Sequence, residues 1–134
     1  MGVTAASPAP LVIEITRPHE GVLLFVLTGE LDIYSAADFD RRIADLDGDL
    51  PAHVVIDLAG LTFVDSSGIN ALVQAVRSIE TRGGTAVLAG PRPEARRVFE
   101  ITGLPEVVPV EQDREAALSH RPSDGPDGLG NVTR

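Results

Sequence analysis

The chain contains no cysteine and no lysine. The first absence excludes disulfides, thiolate metal sites and cysteine nucleophiles. The second removes every chemistry that requires a lysine. No apolar run reaches about 18 residues, so no membrane-spanning helix is expected. The opening MGVTAASPAP lacks the basic region and apolar stretch of a signal peptide. The expected setting is therefore the cytoplasm. Positive charge is also scarce: 11 arginines stand against 20 Asp and Glu, a formal net charge of -9. Each phosphate contact needs a positive partner, so such a chain repels nucleic acid and anionic membrane. A protein partner is the expectation instead. His19, His53 and His120 share no ligand-like spacing, and neither metal nor cofactor is expected. Val64 stands two positions before Ser66, where a nucleophile elbow would carry glycine. The chain does not read as an enzyme.

What is present describes one globular domain: 134 residues, 43% hydrophobic and 23% charged. Residues 1–10 carry Ala, Ser, Thr and Pro without periodicity and are expected to form a flexible arm. Residues 119–134, rich in Pro, Gly and Asp, are expected to be a disordered tail. The folded body then spans 11–118. Leu11–Thr16 and Val22–Leu27 read as strands joined by a Pro18–Gly21 turn, a hairpin. Val22–Leu27 and His53–Leu58 are nearly continuous apolar runs, the pattern of strands covered on both faces. Between them Ala36, Phe39, Ile43 and Leu46 recur at helical spacing, with Ser35 and Asp38 as a candidate capping box and Gly48 beyond the end. A second helix opens at Ser66 or Ser67 with the apolar stripe Ile69, Leu72, Val73, Val76 and Ile79, and stops at Gly83–Gly84. Thr85–Ala89 is a strand, Pro93–Thr102 a helix capped by Gly103, Val107–Val110 a short strand and Asp113–Leu118 a last helix. Alternating strands and helices predict an α/β fold with a mixed, mostly parallel sheet of about four to five strands and about four helices. Partners should approach the loops at the carboxyl ends of the strands.

Two of those loops carry Gly29-Glu30-Leu31-Asp32 and Leu61-Thr62-Phe63-Val64-Asp65-Ser66-Ser67-Gly68. A serine at a helix start has its hydroxyl near unpaired backbone N–H groups and the positive end of the macrodipole. A phosphate there would occupy an anion-binding position while adding roughly -1.5 to -2 charges beside Asp65 and Asp32. The same spacing also suits a serine that merely caps the helix, and Asp65 equally suits a turn.

GELDIYSA, then VVIDLAGLTFVDSSGINAL, then GGTAVLAGPRPEARRVFEITGL, resemble in this order the STAS domain of bacterial anti-sigma factor antagonists. The likeness spans nearly the whole folded body. It implies that Ser66 is phosphorylated by the cognate anti-sigma factor, a serine kinase. It implies that Ser67 is a helix-capping residue and that Asp32 lies near the acceptor. The unmodified protein would capture the anti-sigma factor and free the sigma factor. Phosphorylation would abolish binding, and a serine phosphatase would reset it. Asp32, Tyr34, Asp65, Ser67, Gly68 and Asn70 are the expected partner-binding residues, on a chain expected to be a monomer. Phe63 is expected to sit in a loop, tucked beneath it as an anchor or exposed to the partner. Arg92, Arg96 and Arg97 read as a solvated face.

Two rival readings differ in kind. The same module could serve another phospho-relay complex. Alternatively, Asp57 ends the third strand where a receiver domain carries its phosphoacceptor. A receiver, however, resembles a Mg²⁺ site with an acidic pair after the first strand and a lysine after the last, and here Thr16-Arg17-Pro18 follows the first strand.

Overall fold

The apolar strands at the centre of the sheet need two covered faces, and the chain supplies them unequally. The computed structural model describes residues 10–46 and 53–119. In chain order these form β1 (Val12–His19), β2 (Val22–Leu31), α1 (Ile33–Ala44), β3 (His53–Val64), α2 (Ser66–Thr81), β4 (Thr85–Ala89), α3 (Pro93–Thr102), a single 3₁₀ turn (Leu104–Glu106), β5 (Val110–Glu111) and α4 (Arg114–Ser119). The sheet order is β1-β2-β3-β4-β5. β1 and β2 pair antiparallel as the predicted hairpin, and the other pairs are parallel. The expected architecture is borne out. Residues 1–9 of the expected arm, 120–134 of the expected tail and Gly48 lie outside the described residues, while Ser119, expected in the tail, closes α4.

On one face Leu23, Phe25, Leu27, Val54, Ile56, Leu58, Ala86 and Leu88 meet the apolar stripes of α1 and α2 and Phe99 of α3. Phe25 and Phe39 pack edge to face with centroids 6.4 Å apart. The opposite face carries a smaller cluster, Leu24, Val55, Val87 and Ala89, covered by Ala117 of the short α4. So little apolar area cannot hold six residues in place, and polar contacts assist. Arg114 donates to the buried Asp57 carboxylate from Nε (2.8 Å) and Nη2 (2.7 Å). The buried His53 ring bonds the Ala117 carbonyl and the Thr85 hydroxyl, each at 3.0 Å. On the first face Arg82, just past α2, donates to the carbonyls of Ile43 and Leu46 and closes the end of α1.

Several boundaries differ from expectation. β2 runs on through Gly29 to Leu31, and β3 through Gly60 to Val64. Gly29, at φ +102, marks a register irregularity rather than a strand end. Pairing between the two strands carries both past the ends of their apolar runs. Val107 and Val108 do not form a strand; the chain is still leaving the 3₁₀ turn there, and β5 begins at Val110.

Candidate functional site at two adjacent helix starts

β2 and β3 end side by side, with Leu31 opposite Val64. Each is followed by one aspartate in extended conformation and then by a helix. Asp32 (φ -126°, ψ -171°) caps α1, and Asp65 (φ -103°, ψ -172°) caps α2. The Asp65 N–H donates to the Leu31 carbonyl at 3.3 Å and stitches the two starts together. Gly68, in the first turn of α2, is buried against this junction. A side chain there would overlap the Leu31 carbonyl oxygen and lie 2.9 Å from Leu31 Cγ and 3.0 Å from Val64 Cγ1. Only glycine lets α2 begin this close to β2.

The first cap is dense. Asp32 Oδ1 accepts from the Tyr34 N–H (3.0 Å), the Ser35 N–H (2.9 Å) and the Ser35 hydroxyl (3.0 Å). The Ser35 Oγ in turn accepts from the Asp32 N–H at 2.9 Å. This is a reciprocal capping box, with serine in the place usually held by Glu or Gln. The expected Ser35–Asp38 box is therefore corrected: the helix begins three residues earlier, and Asp38 pairs with Arg41 on the surface at 3.2 Å. Donation to the carboxylate, first from the Ser35 N–H, holds the Asp32 pKa below its ordinary value.

The second cap is sparse. Asp65 Oδ1 accepts from the Gly68 N–H at 2.9 Å, and no side-chain hydroxyl supports it. Because Asp65 caps α2, neither serine does, and the capping role expected of Ser67 is corrected. Ser66 and Ser67 are the first two residues of the helix proper; Ser66 is exposed and Ser67 half-buried. Among the described residues, neither side chain has a hydrogen-bond partner.

The expected contact residues gather on this one edge. Tyr34 is 87% exposed, and Asn70 is exposed on the second turn of α2. Gly68 is buried and shapes the edge without facing outward. Sequence reasoning missed Ile33, 63% exposed beside Tyr34, and the role of Ser35. The spacing Asp-x-x-Ser, read from Asp32, held the signal for the latter. Phe63 lies in β3, not in a loop; half-exposed, it lines a groove of about 190 Å³ with Val64, Arg92 and Val98. Asp57, the rival phosphoacceptor, is 4% exposed, with Oδ1 taken by the Ala59 N–H and Oδ2 by Arg114. A phosphoryl donor would have to break that ion pair to reach it. No described helix is long and apolar enough to cross a membrane.

The fold and this edge together define an α/β domain with two capped helix starts side by side, and comparison with known proteins gives it a family. The STAS domain profile matches residues 15–117, and the chain belongs to that family. Over 103 residues it is 30% identical to an anti-sigma F factor antagonist of Paenibacillus polymyxa, covering 75% of this chain and 87% of the relative. Over 102 residues it is 26% identical to the anti-sigma-B factor antagonist of Bacillus subtilis, covering 76% and 93%. The crystal structure of an anti-sigma factor antagonist from Mycobacterium paratuberculosis superposes with a TM-score of 0.71 at 26% identity, covering 87% of this chain and 97% of that one.

Proposed function

We propose that this protein is an anti-sigma factor antagonist switched at Ser66. Unmodified, it binds an anti-sigma factor that is a serine kinase and thereby releases the sigma factor. The kinase transfers the γ-phosphoryl group of ATP to Ser66. The Ser66 oxygen forms the new P–O bond, the bond to the ADP leaving group breaks, and the hydroxyl proton is lost. A serine phosphatase reverses the modification by hydrolysis. The protein acts in the cytoplasm, as a monomer and without catalysis of its own.

One observation carries this reading. Ser66 is exposed at the start of α2 with its hydroxyl uncommitted, because Asp65 has taken over the capping. The relatives' names support the partner. The stretches 29–35 and 61–70 contain Asp32 and Asp65 but no basic residue, so the partner surface should be basic. A phosphoryl group adds roughly -1.5 to -2 charges and bulk at the centre of that surface. Burying such a dianion in an interface costs more than the backbone N–H groups nearby return.

Mass spectrometry after incubation with ATP and serine-kinase anti-sigma factors of the same genome tests the proposal. One phosphoryl group should be gained at Ser66. Ser66→Ala should stay folded, take no phosphate and bind the kinase constitutively. Phosphate entering Ser66→Ala at the wild-type rate would transfer the role to Ser67 or elsewhere.

A further inference from the structure

The carboxylates at the two adjacent helix starts are held very differently, and one side chain supplies part of the difference. The Ser35 hydroxyl is half-buried behind Asp32. Its oxygen lies 3.0 Å from both Asp32 Oδ1 and the Glu30 carbonyl oxygen, and its single proton can be donated to either. Its lone pair takes the Asp32 N–H. Ser35 thus ties together the end of β2, the backbone of the cap residue and its carboxylate. The same carboxylate oxygen holds the Tyr34 N–H, so the arrangement also sets how Ile33 and Tyr34 are displayed. At the corresponding position of α2 stands Gly68, which has no side chain to do this for Asp65.

We infer that Ser35 is a positioning residue for partner recognition: through the Asp32 carboxylate it presets the acidic and aromatic half of the docking surface without touching the partner. The inference rests on the reading of Ser66 and its kinase given above. A preset carboxylate meets a basic partner without first giving up rotamer freedom, and affinity rises by that saving. The lowered pKa of Asp32 agrees with a carboxylate held by donors.

The test uses the full-length protein with the purified serine-kinase anti-sigma factor of the same genome and MgATP, reading kcat/KM for phosphorylation of Ser66. Ser35→Ala should lower kcat/KM about tenfold, as expected for losing a hydrogen bond to a charged group. Ser35→Thr, which keeps the hydroxyl, should restore it. By NMR titration the Asp32 carboxyl of Ser35→Ala should move up toward its ordinary pKa. In an Asp32→Asn background Ser35→Ala should change kcat/KM no further, because the pathway through Asp32 is already cut. Independent effects of the two substitutions overturn the inference. So does a folded Ser35→Ala phosphorylated at the wild-type rate, or a Ser35→Thr as slow as Ser35→Ala. If Ser35→Ala does not fold, Ser35→Thr and Asp32→Asn decide: a slow Ser35→Thr or an Asp32→Asn at full rate overturns it. Phosphate entering Ser66→Ala at the wild-type rate instead overturns the reading of the site, and the inference with it.

Discussion

The helices that leave the carboxyl edge of β2 and β3 begin with the same backbone gesture but are tied down by different means. At α1, three donors converge on Asp32 and a serine closes the box from behind. At α2, Asp65 makes one cap bond, and the first turn is held instead by close packing of Gly68 against Leu31. The first start spends its polar groups on itself and leaves apolar Ile33 and Tyr34 outermost. The second leaves a hydroxyl outermost and uncommitted. The switch proposed for this site needs both: a fixed surface for a partner to find, and a reachable atom to modify.

The comparison can be broken first at Gly68. Gly68→Ala forces a methyl group into the Leu31 carbonyl and side chain, and overpacking of this kind costs about 1–3 kcal/mol. Thermal unfolding should show the loss, and an unchanged Tm would mean that α2 can draw back freely. The caps come next. Asp65→Ala should cost about 0.5–1 kcal/mol, the lower range for a lost N-cap. Asp32→Ala should lower Tm further than Asp65→Ala, because more donors lose their acceptor. The reverse order would show that hydrogen-bond number does not measure these two caps. The smallest effect is in pH. The folded pKa of Asp32 is depressed, so its contribution is fully present above the ordinary value of 3.8 and fades as pH falls through the lower folded value. Asp32→Asn keeps a good cap but cannot titrate, so its acid unfolding curve should lack this component.

Much of this arrangement was legible in the linear chain. The α2 stripe, β4, and α3 with its Gly103 cap follow from periodicity and stop residues within a dozen positions of one another. The motif around Asp65-Ser66 was legible through its resemblance to the family, since its spacing alone equally suits a plain helix cap. The errors cluster where an outcome depends on a distant partner. Val22–Leu27 and His53–Leu58 read as complete strands because the apolar runs end there, yet pairing with each other carries β2 to Leu31 and β3 to Val64. Ser35 and Ser67 read as caps because serine caps are common; Asp32 takes that work because α1 begins earlier than the apolar spacing suggested, and Asp65 because Ser66 is already the first residue of α2. Asp57 had the right place for a phosphoacceptor until Arg114, 57 positions away, closed over it.

The amino-acid order alone thus settled the alternation of strands and helices, their apolar faces and the one serine motif, since these are encoded in contiguous residues. The folded chain settled which hydroxyl is spare, which carboxylate is committed and why position 68 must be glycine. Those answers depend on hydrogen bonds and steric contacts between segments that meet only after the sheet has formed.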